Sequence, residues 1–244
     1  MAQPIPRFRG PSLIPLAMVH ILLFVAGLVA AAALRHGASY ATPFSTAADL
    51  QSFFVQSPTA QRVSSFFLFG SAVPFGIFAV TLVSQLRFMG VRAAGTNIAL
   101  LGGLAAAFAL FLSGMAAWML SVPEVAASAP VVKAVAFLTF LSGGVFYSVG
   151  FGLLAAGVSV TSYFTRLLPR WLVALGMLLA VTGELSWFSL IAYPANFFIP
   201  ITRFVGFVWM LATAVALTRN RRGAQTESAG ISPQVPAASS SQPD

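Results

Sequence analysis

The sequence predicts an all-α fold, a polytopic transmembrane helical bundle of six spans. Hydrophobic residues make up 58% of the 244-residue chain and charged residues only 7%, whereas soluble domains carry roughly 25% charged residues. Six apolar runs are each long enough to cross a ~30 Å hydrocarbon core at ~1.5 Å per residue. The basic residues stand singly between these runs, so they indicate topology and not a nucleic-acid-binding patch. The expected partner is therefore the lipid bilayer, with no nucleic acid.

The six predicted spans form one transmembrane domain over residues 13–218. In order they are residues 13–34, 63–86, 93–122, 131–164, 171–191 and 196–218. Residues 1–12 form a short N-terminal segment whose Arg7 and Arg9 imitate a signal peptide. The first apolar run exceeds the usual length for that and no A-x-A site follows, so we expect a retained helix. Residues 219–244 are rich in Ser, Pro, Ala and Gln without an apolar period, which predicts a disordered tail.

Residues 35–62 form the one sizeable predicted loop, and they contain a helix signal. Thr46 and Asp49 stand in capping-box-like spacing ahead of Leu50, Phe53 and Phe54. This pattern predicts a short outer interfacial helix after the first span. An amphipathic helix lying on the membrane surface and a connecting helix packed on the mouth of the bundle fit the pattern equally well.

The basic residues near the span ends predict the orientation. One side of the membrane collects nine of them and the other side four. The nine are Arg7, Arg9, Arg87, Arg92, Arg166, Arg170, Arg219, Arg221 and Arg222, and the four are Arg35, Arg62, Lys133 and Arg203. Because loops rich in Lys and Arg stay in the cytoplasm, both termini are expected there, which agrees with an even number of spans.

Three short motifs stand at fixed places among the predicted spans. They are TAADL at residues 46–50, LPRWL at residues 168–172 and RFVGFVW at residues 203–209. Through these motifs the chain, from about Arg7 to Thr218, resembles a bacterial integral membrane family catalogued as domain of unknown function 4386. The resemblance implies a six-helix fold in a bacterial plasma (inner) membrane. That family has no established activity, so the resemblance brings no catalytic residues.

Small residues at steps of four mark one face of the fourth span: Gly144, Ser148, Gly152 and Ala156. Such a face lets two helix backbones approach closely in lipid, where packing drives association. It could form a dimer seam, and a homo-oligomer or a membrane-protein partner stays open. Packing inside the same bundle is the favoured interpretation, because a central span needs such a face in any case.

The two histidines do not suit a metal or haem site. His20 lies within the first span and His36 just beyond it, ~24 Å apart along a helix axis. The chain has no cysteine and five carboxylates, so no cofactor and no metal is expected. His20 is expected to form a helix–helix hydrogen bond, with a proton relay as the alternative.

Glu184 is the single carboxylate inside a predicted span. A lone charge in lipid is costly, so it should face the interior and find a partner. Arg203 lies at a matching depth across the turn between the fifth and sixth spans, and we expect the two to form an intramembrane ion pair. The alternative is a late start of the sixth helix at Pro200, which would leave Arg203 near the headgroups and Glu184 protonated.

Function is predicted mainly from what the sequence lacks. It has no nucleophile–base–acid constellation, no phosphate-binding loop after a strand and no soluble domain. The leading hypothesis is a non-enzymatic structural, accessory or regulatory bundle with room for a small apolar ligand. The alternative is a small-molecule or proton-coupled transporter that uses Glu184, together with His20. An intramembrane enzyme acting on lipid or isoprenoid substrates ranks third, because paired acidic motifs are missing.

Overall fold

The structure is a computed structural model that describes residues 8, 10–35 and 41–230, with side chains as far as Arg219. All regular elements in these ranges are helical. Six helices there are long and apolar enough to cross a membrane: Leu13–Leu34, Pro58–Phe88, Ala94–Met119, Ala129–Thr165, Arg170–Leu190 and Tyr193–Arg219. The all-α class and the number of helices able to span a membrane are thereby confirmed, and they are compatible with an integral membrane protein.

Nine α-helices follow one another within the described residues. They are α1 (Leu13–Leu34), α2 (Ala47–Gln56), α3 (Pro58–Phe88), α4 (Ala94–Met119), α5 (Pro123–Ala126), α6 (Ala129–Phe140), α7 (Tyr147–Thr165), α8 (Arg170–Leu185) and α9 (Phe198–Gly230). A π-helical segment, Leu141–Phe146, joins α6 to α7 into one continuous span. Two 3₁₀ turns, Ser186–Leu190 and Tyr193–Phe197, lie between α8 and α9.

The last helix continues into the predicted tail. α9 extends to Gly230, so the part of the tail from residue 219 to residue 230 is helical in the structure. Residues 231–244 lie outside the described residues, as do residues 1–7 and 9 of the N-terminal segment. The prediction of disorder for residues 231–244 stays a prediction.

The spans form a closed ring in chain order. α3 packs against α1 and α4, α4 against α7, α7 against α8, and α8 against α9, which returns to α1. Large side chains such as Phe75, Phe151 and Trp209 are fully buried at the centre. Large apolar side chains also face outward, for example Phe66 at 71% exposure. A surface of this kind is compatible with hydrocarbon around it.

Helix α2 caps one end of the bundle. The Thr46 hydroxyl accepts a 3.1 Å hydrogen bond from the Asp49 N–H and donates to the Asp49 carboxylate at 2.6 Å. Leu50 and Phe54 are buried in a cluster formed with the ends of α4 and α6. The structure therefore agrees with the second interpretation of this segment, in which α2 is a connecting helix packed on the mouth of the bundle. We call this the α2 end, with the connections at residues 35–57, 120–128 and 186–197. The opposite end has the connections at residues 89–93 and 166–169.

Glycines bring α4 and α7 into backbone contact. A Cβ on Gly150 would lie 2.7 Å from the Ala106 nitrogen, and a Cβ on Gly102 would lie 2.5 Å from the Leu154 nitrogen. Neither atom can move without shifting a helix. We call this contact the glycine seam.

The predicted small-residue face packs inside the bundle. A Cβ on Gly152 would lie 3.2 Å from the Gly183 Cα in α8, and one on Gly183 would lie 2.6 Å from the Ser148 carbonyl oxygen. Gly144 faces Ile199 of α9 instead, and Ala156 is half-buried. The structure therefore uses this face for intramolecular packing, as the favoured interpretation held.

Candidate functional site

A cavity of about 280 Å³ lies between α1, α3, α4, the fourth span and α9, in the half of the bundle nearest the α2 end. Its lining is mostly small or apolar: Phe24, Gly27, Leu28, Leu68, Phe140, Gly143, Gly144 and Ile199. Ser64, Ser113 and Thr139 add hydroxyls, and Arg203 adds a positive charge. We call this space the Arg203 cavity.

Arg203 enters the cavity from the first turns of α9. It lies five residues after the helix begins, or ~7.5 Å along the axis. Its Nη2 donates a hydrogen bond to the Gly143 carbonyl. Its Cζ lies 4.8 Å from the ring centroid of Phe24 and 4.4 Å from that of Tyr147. Two ring faces and one carbonyl thus hold the guanidinium, while its Nε is buried without a hydrogen-bond partner.

The π-helical segment explains why the Gly143 carbonyl can accept from Arg203. In a regular α-helix this carbonyl would bond to the Tyr147 N–H. Here that N–H bonds to the Ser142 and Gly144 carbonyls instead. Glycine at position 143 also leaves room for α4, because a Cβ would lie 2.9 Å from the Ser113 Cβ. Single π turns inside α-helices occur frequently at functional sites.

The predicted ion pair between Glu184 and Arg203 does not form in the structure. Glu184 is exposed on the outside of α8 and has no ion pair or hydrogen bond among the described side chains. The fifth and sixth spans do meet at this depth, but through the Thr182 and Thr202 hydroxyls, 3.1 Å apart. Each helical residue turns by ~100°, so Arg203 points away from α8. Glu184 and Arg203 therefore lie at a similar depth, but their side chains point in different directions.

His20 forms a hydrogen bond between the first two spans. It is buried, and its Nδ1 lies 2.8 Å from the Ser71 carbonyl oxygen. A carbonyl only accepts, so Nδ1 carries the proton and donates. Its Nε2 is buried without a partner. The structure therefore shows the predicted helix–helix bond, while His36 lies outside the described residues.

Aromatic rings connect His20 to Arg203. The His20 ring lies 5.0 Å from Phe75 and 5.6 Å from Phe207. Phe207 contacts Phe24 at 5.4 Å, and Phe75 contacts Tyr147 at 5.9 Å. Since Phe24 and Tyr147 both stack on the guanidinium, the contacts close into a ring. The Tyr147 hydroxyl is buried beside it without a partner.

Sequence reasoning did not find the surroundings of Arg203. Phe24 and Tyr147 look like ordinary residues of apolar spans, and a π turn has no sequence pattern of its own. The adjacent glycines at 143 and 144 are the signal that points to this place. Across the residues that the structure describes, no three His, Asp or Glu side chains cluster to hold a metal ion.

Comparison with known proteins identifies no relative of this chain. No family model matches the chain, and no curated protein and no solved structure matches it.

Proposed function

We propose that this protein is a non-enzymatic membrane protein whose bundle binds a small, largely apolar ligand that carries an acidic group. The observation that carries the proposal is Arg203, a cation in the bundle that faces a cavity and has no carboxylate partner among the described side chains. Ionisable residues within a membrane bundle are costly and usually serve function. An acidic ligand supplies the missing counter-charge.

The chemistry of the cavity matches such a ligand. A guanidinium presents N–H groups in a fork that suits a carboxylate, and only one donor is occupied by the Gly143 carbonyl. The remaining lining is largely apolar and suits a hydrocarbon or aromatic body. The volume of about 280 Å³ lies just below the ~300–1,000 Å³ of drug-sized sites. The ligand is therefore small.

The position of Glu184 favours binding over transport through this carboxylate. Glu184 does not line the Arg203 cavity and is exposed on the outer face of α8. His20 lies across the ring of aromatic contacts from Arg203, and its Nδ1 donates a hydrogen bond to the Ser71 carbonyl. The two residues of the transport hypothesis thus do not share one polar path with the cavity.

Membrane and orientation are part of the same proposal. The nine-to-four distribution of basic residues supports cytoplasmic termini, and the three short motifs support the bacterial family with domain of unknown function 4386 and its plasma membrane. The chain has no cysteine, so single cysteines can report topology. A cysteine at Ala48 or Ala127 should react with an impermeant reagent in intact cells, and one at Gly90 only after permeabilisation. Labelling of Gly90 from outside would reverse the orientation.

Binding is tested with two probes that share a ring and differ in charge. ¹⁹F NMR on the protein in nanodiscs is used to titrate 4-fluorobenzoate and 4-fluorobenzyl alcohol. The acid should bind saturably and more tightly than the alcohol. Arg203→Gln should lower the affinity for the acid by about 10-fold or more, because a hydrogen bond to a charged group is worth ~1.5–3 kcal/mol.

Arg92→Gln is the matched control. It removes an exposed arginine at the opposite end of the bundle and should leave the affinity for the acid unchanged. Arg203→Lys keeps the charge and covers the case in which the glutamine variant does not fold. Equal affinity for acid and alcohol, or no saturable binding of the acid, would overturn the proposal.

A further inference from the structure

A second groove lies at the opposite end of the bundle, where α7 ends and α8 begins. It has a volume of about 720 Å³, and Arg166 and Arg170 both line it. We propose that this groove binds one anionic phospholipid of the surrounding membrane, with the phosphate at the two arginines. The inference is independent of the Arg203 cavity.

The positive charge of the groove has no carboxylate counterpart among the side chains that the structure describes. Neither Arg166 nor Arg170 forms an ion pair among the described side chains. Asp49 and Glu124 lie in α2 and α5, at the other end of the bundle. Glu184 lies at the far end of α8. Among the described side chains, no carboxylate lies at this end of the bundle to compete with a phosphate group for the two arginines.

Two further groups at the groove also suit a phosphate: the Ser162 hydroxyl and the N-terminus of α8. Ser162 lines the groove, is 0% exposed, and has an Oγ without a hydrogen-bond partner. Helix α8 begins at Arg170 without a side-chain cap and without an acidic residue in its first turn. Uncapped helix N-termini present N–H groups that favour phosphate. The unpartnered hydroxyl is an observation independent of the arginines that fits a polar ligand group at this place.

The surroundings select a membrane lipid as the source of the phosphate. Tyr163 and Phe164 are 67% and 78% exposed on the last turn of α7, as aromatic residues are at the headgroup level. Val173, Ala174 and Met177 line the groove three, four and seven residues after Arg170. They form one face of α8 that continues ~10 Å toward the hydrocarbon. An acyl chain has a track here that inorganic phosphate would leave empty.

The test measures lipid binding by native mass spectrometry on the full chain in detergent. Phosphatidylglycerol and phosphatidylcholine with the same acyl chains are titrated separately. The wild type should bind one phosphatidylglycerol in preference to phosphatidylcholine. The double variant Arg166→Gln/Arg170→Gln should weaken this binding on the order of 20-fold, because each basic residue near anionic headgroups contributes about fivefold.

Arg87→Gln/Arg92→Gln is the matched control, since it removes the same charge at the same end but outside the groove. It should leave the preference within about twofold. Ala174→Trp fills the acyl track at an exposed position and should abolish the preference although both arginines remain. Equal losses in the two double variants would show general surface charge and overturn the site. Displacement of the lipid by inorganic phosphate at equal concentration, or an unchanged preference in Ala174→Trp, would overturn the lipid as occupant.

Discussion

The glycine seam and the Arg203 cavity are both built on the fourth span, yet they differ in almost every physical respect. At the seam, Gly150 lies against the α4 backbone without space for one added carbon. At the cavity, less than three turns away, the same span is π-helical and its Gly143 carbonyl accepts from a charged side chain. In lipid, close backbone packing stabilises a bundle, while buried charge costs stability. The seam therefore stabilises the bundle, while the cavity costs stability and is the place where we propose that a ligand binds.

The largest expected effect is at the seam. Gly150→Ala should lower the free energy of unfolding by about 2–3 kcal/mol, because the new Cβ would meet backbone atoms of α4 that cannot turn aside. Gly70→Ala is the control, since nothing lies within 4 Å of its added Cβ; it should be neutral or slightly stabilising. Unfolding in mixed micelles measures both. Similar losses for the two alanines would remove the distinction between the regions.

An effect of the opposite sign is expected at the cavity. Arg203→Met should unfold no more easily than the unliganded wild type, and its unfolding free energy should be higher by up to about 1 kcal/mol. The reason is that a charge held in the bundle without a counter-charge costs stability, and methionine removes this charge with a chain of similar volume. The same variant should lose binding of 4-fluorobenzoate. A loss above about 1 kcal/mol would make Arg203 a structural tie to the Gly143 carbonyl.

The smallest expected effect is at Glu184. This side chain is exposed on α8 and has no described partner, so Glu184→Gln should change the unfolding free energy by no more than about 0.5 kcal/mol. Combined with Arg203→Gln, its effect should add within ~0.3–0.5 kcal/mol. A larger coupling energy in this double-mutant cycle would restore the ion pair that the structure does not contain.

Apolar length was enough to predict the spans. The first predicted span, residues 13–34, has the same bounds as α1, because the run has no Asp, Glu, Lys or Arg and ends just before Arg35. The capping signal at Thr46 and Asp49 likewise predicted α2. At the other end of the chain, composition did not predict that α9 continues to Gly230, because this segment has no apolar period.

It was harder to predict which helices contact each other, and in which direction a side chain points around its helix, than to predict the position of a residue along the helix axis. Steps of four identified the face with Gly144 and Gly152, but not the seam formed by Gly102 and Gly150, because periodicity shows a face without showing its partner. The depth of Arg203 followed from helical rise. Its direction depends on two 3₁₀ turns before α9, whose three residues per turn change the phase of the helix. Packing decides such turns, so the sequence alone could not supply the direction.

The π-helical segment has a consequence for the spacing of the fourth span. A π turn holds one residue more than the α turn it replaces, so every later side chain lies ~100° behind the direction it would have in an unbroken α-helix. Gly144 can thus face α9 while Gly150 faces α4 and Gly152 faces α8. Deleting one residue from Leu141–Phe146 would return the helix to a single phase and turn the glycines of α7 away from α4. The number of residues in this stretch, and not only their identity, keeps the cavity and the seam in register.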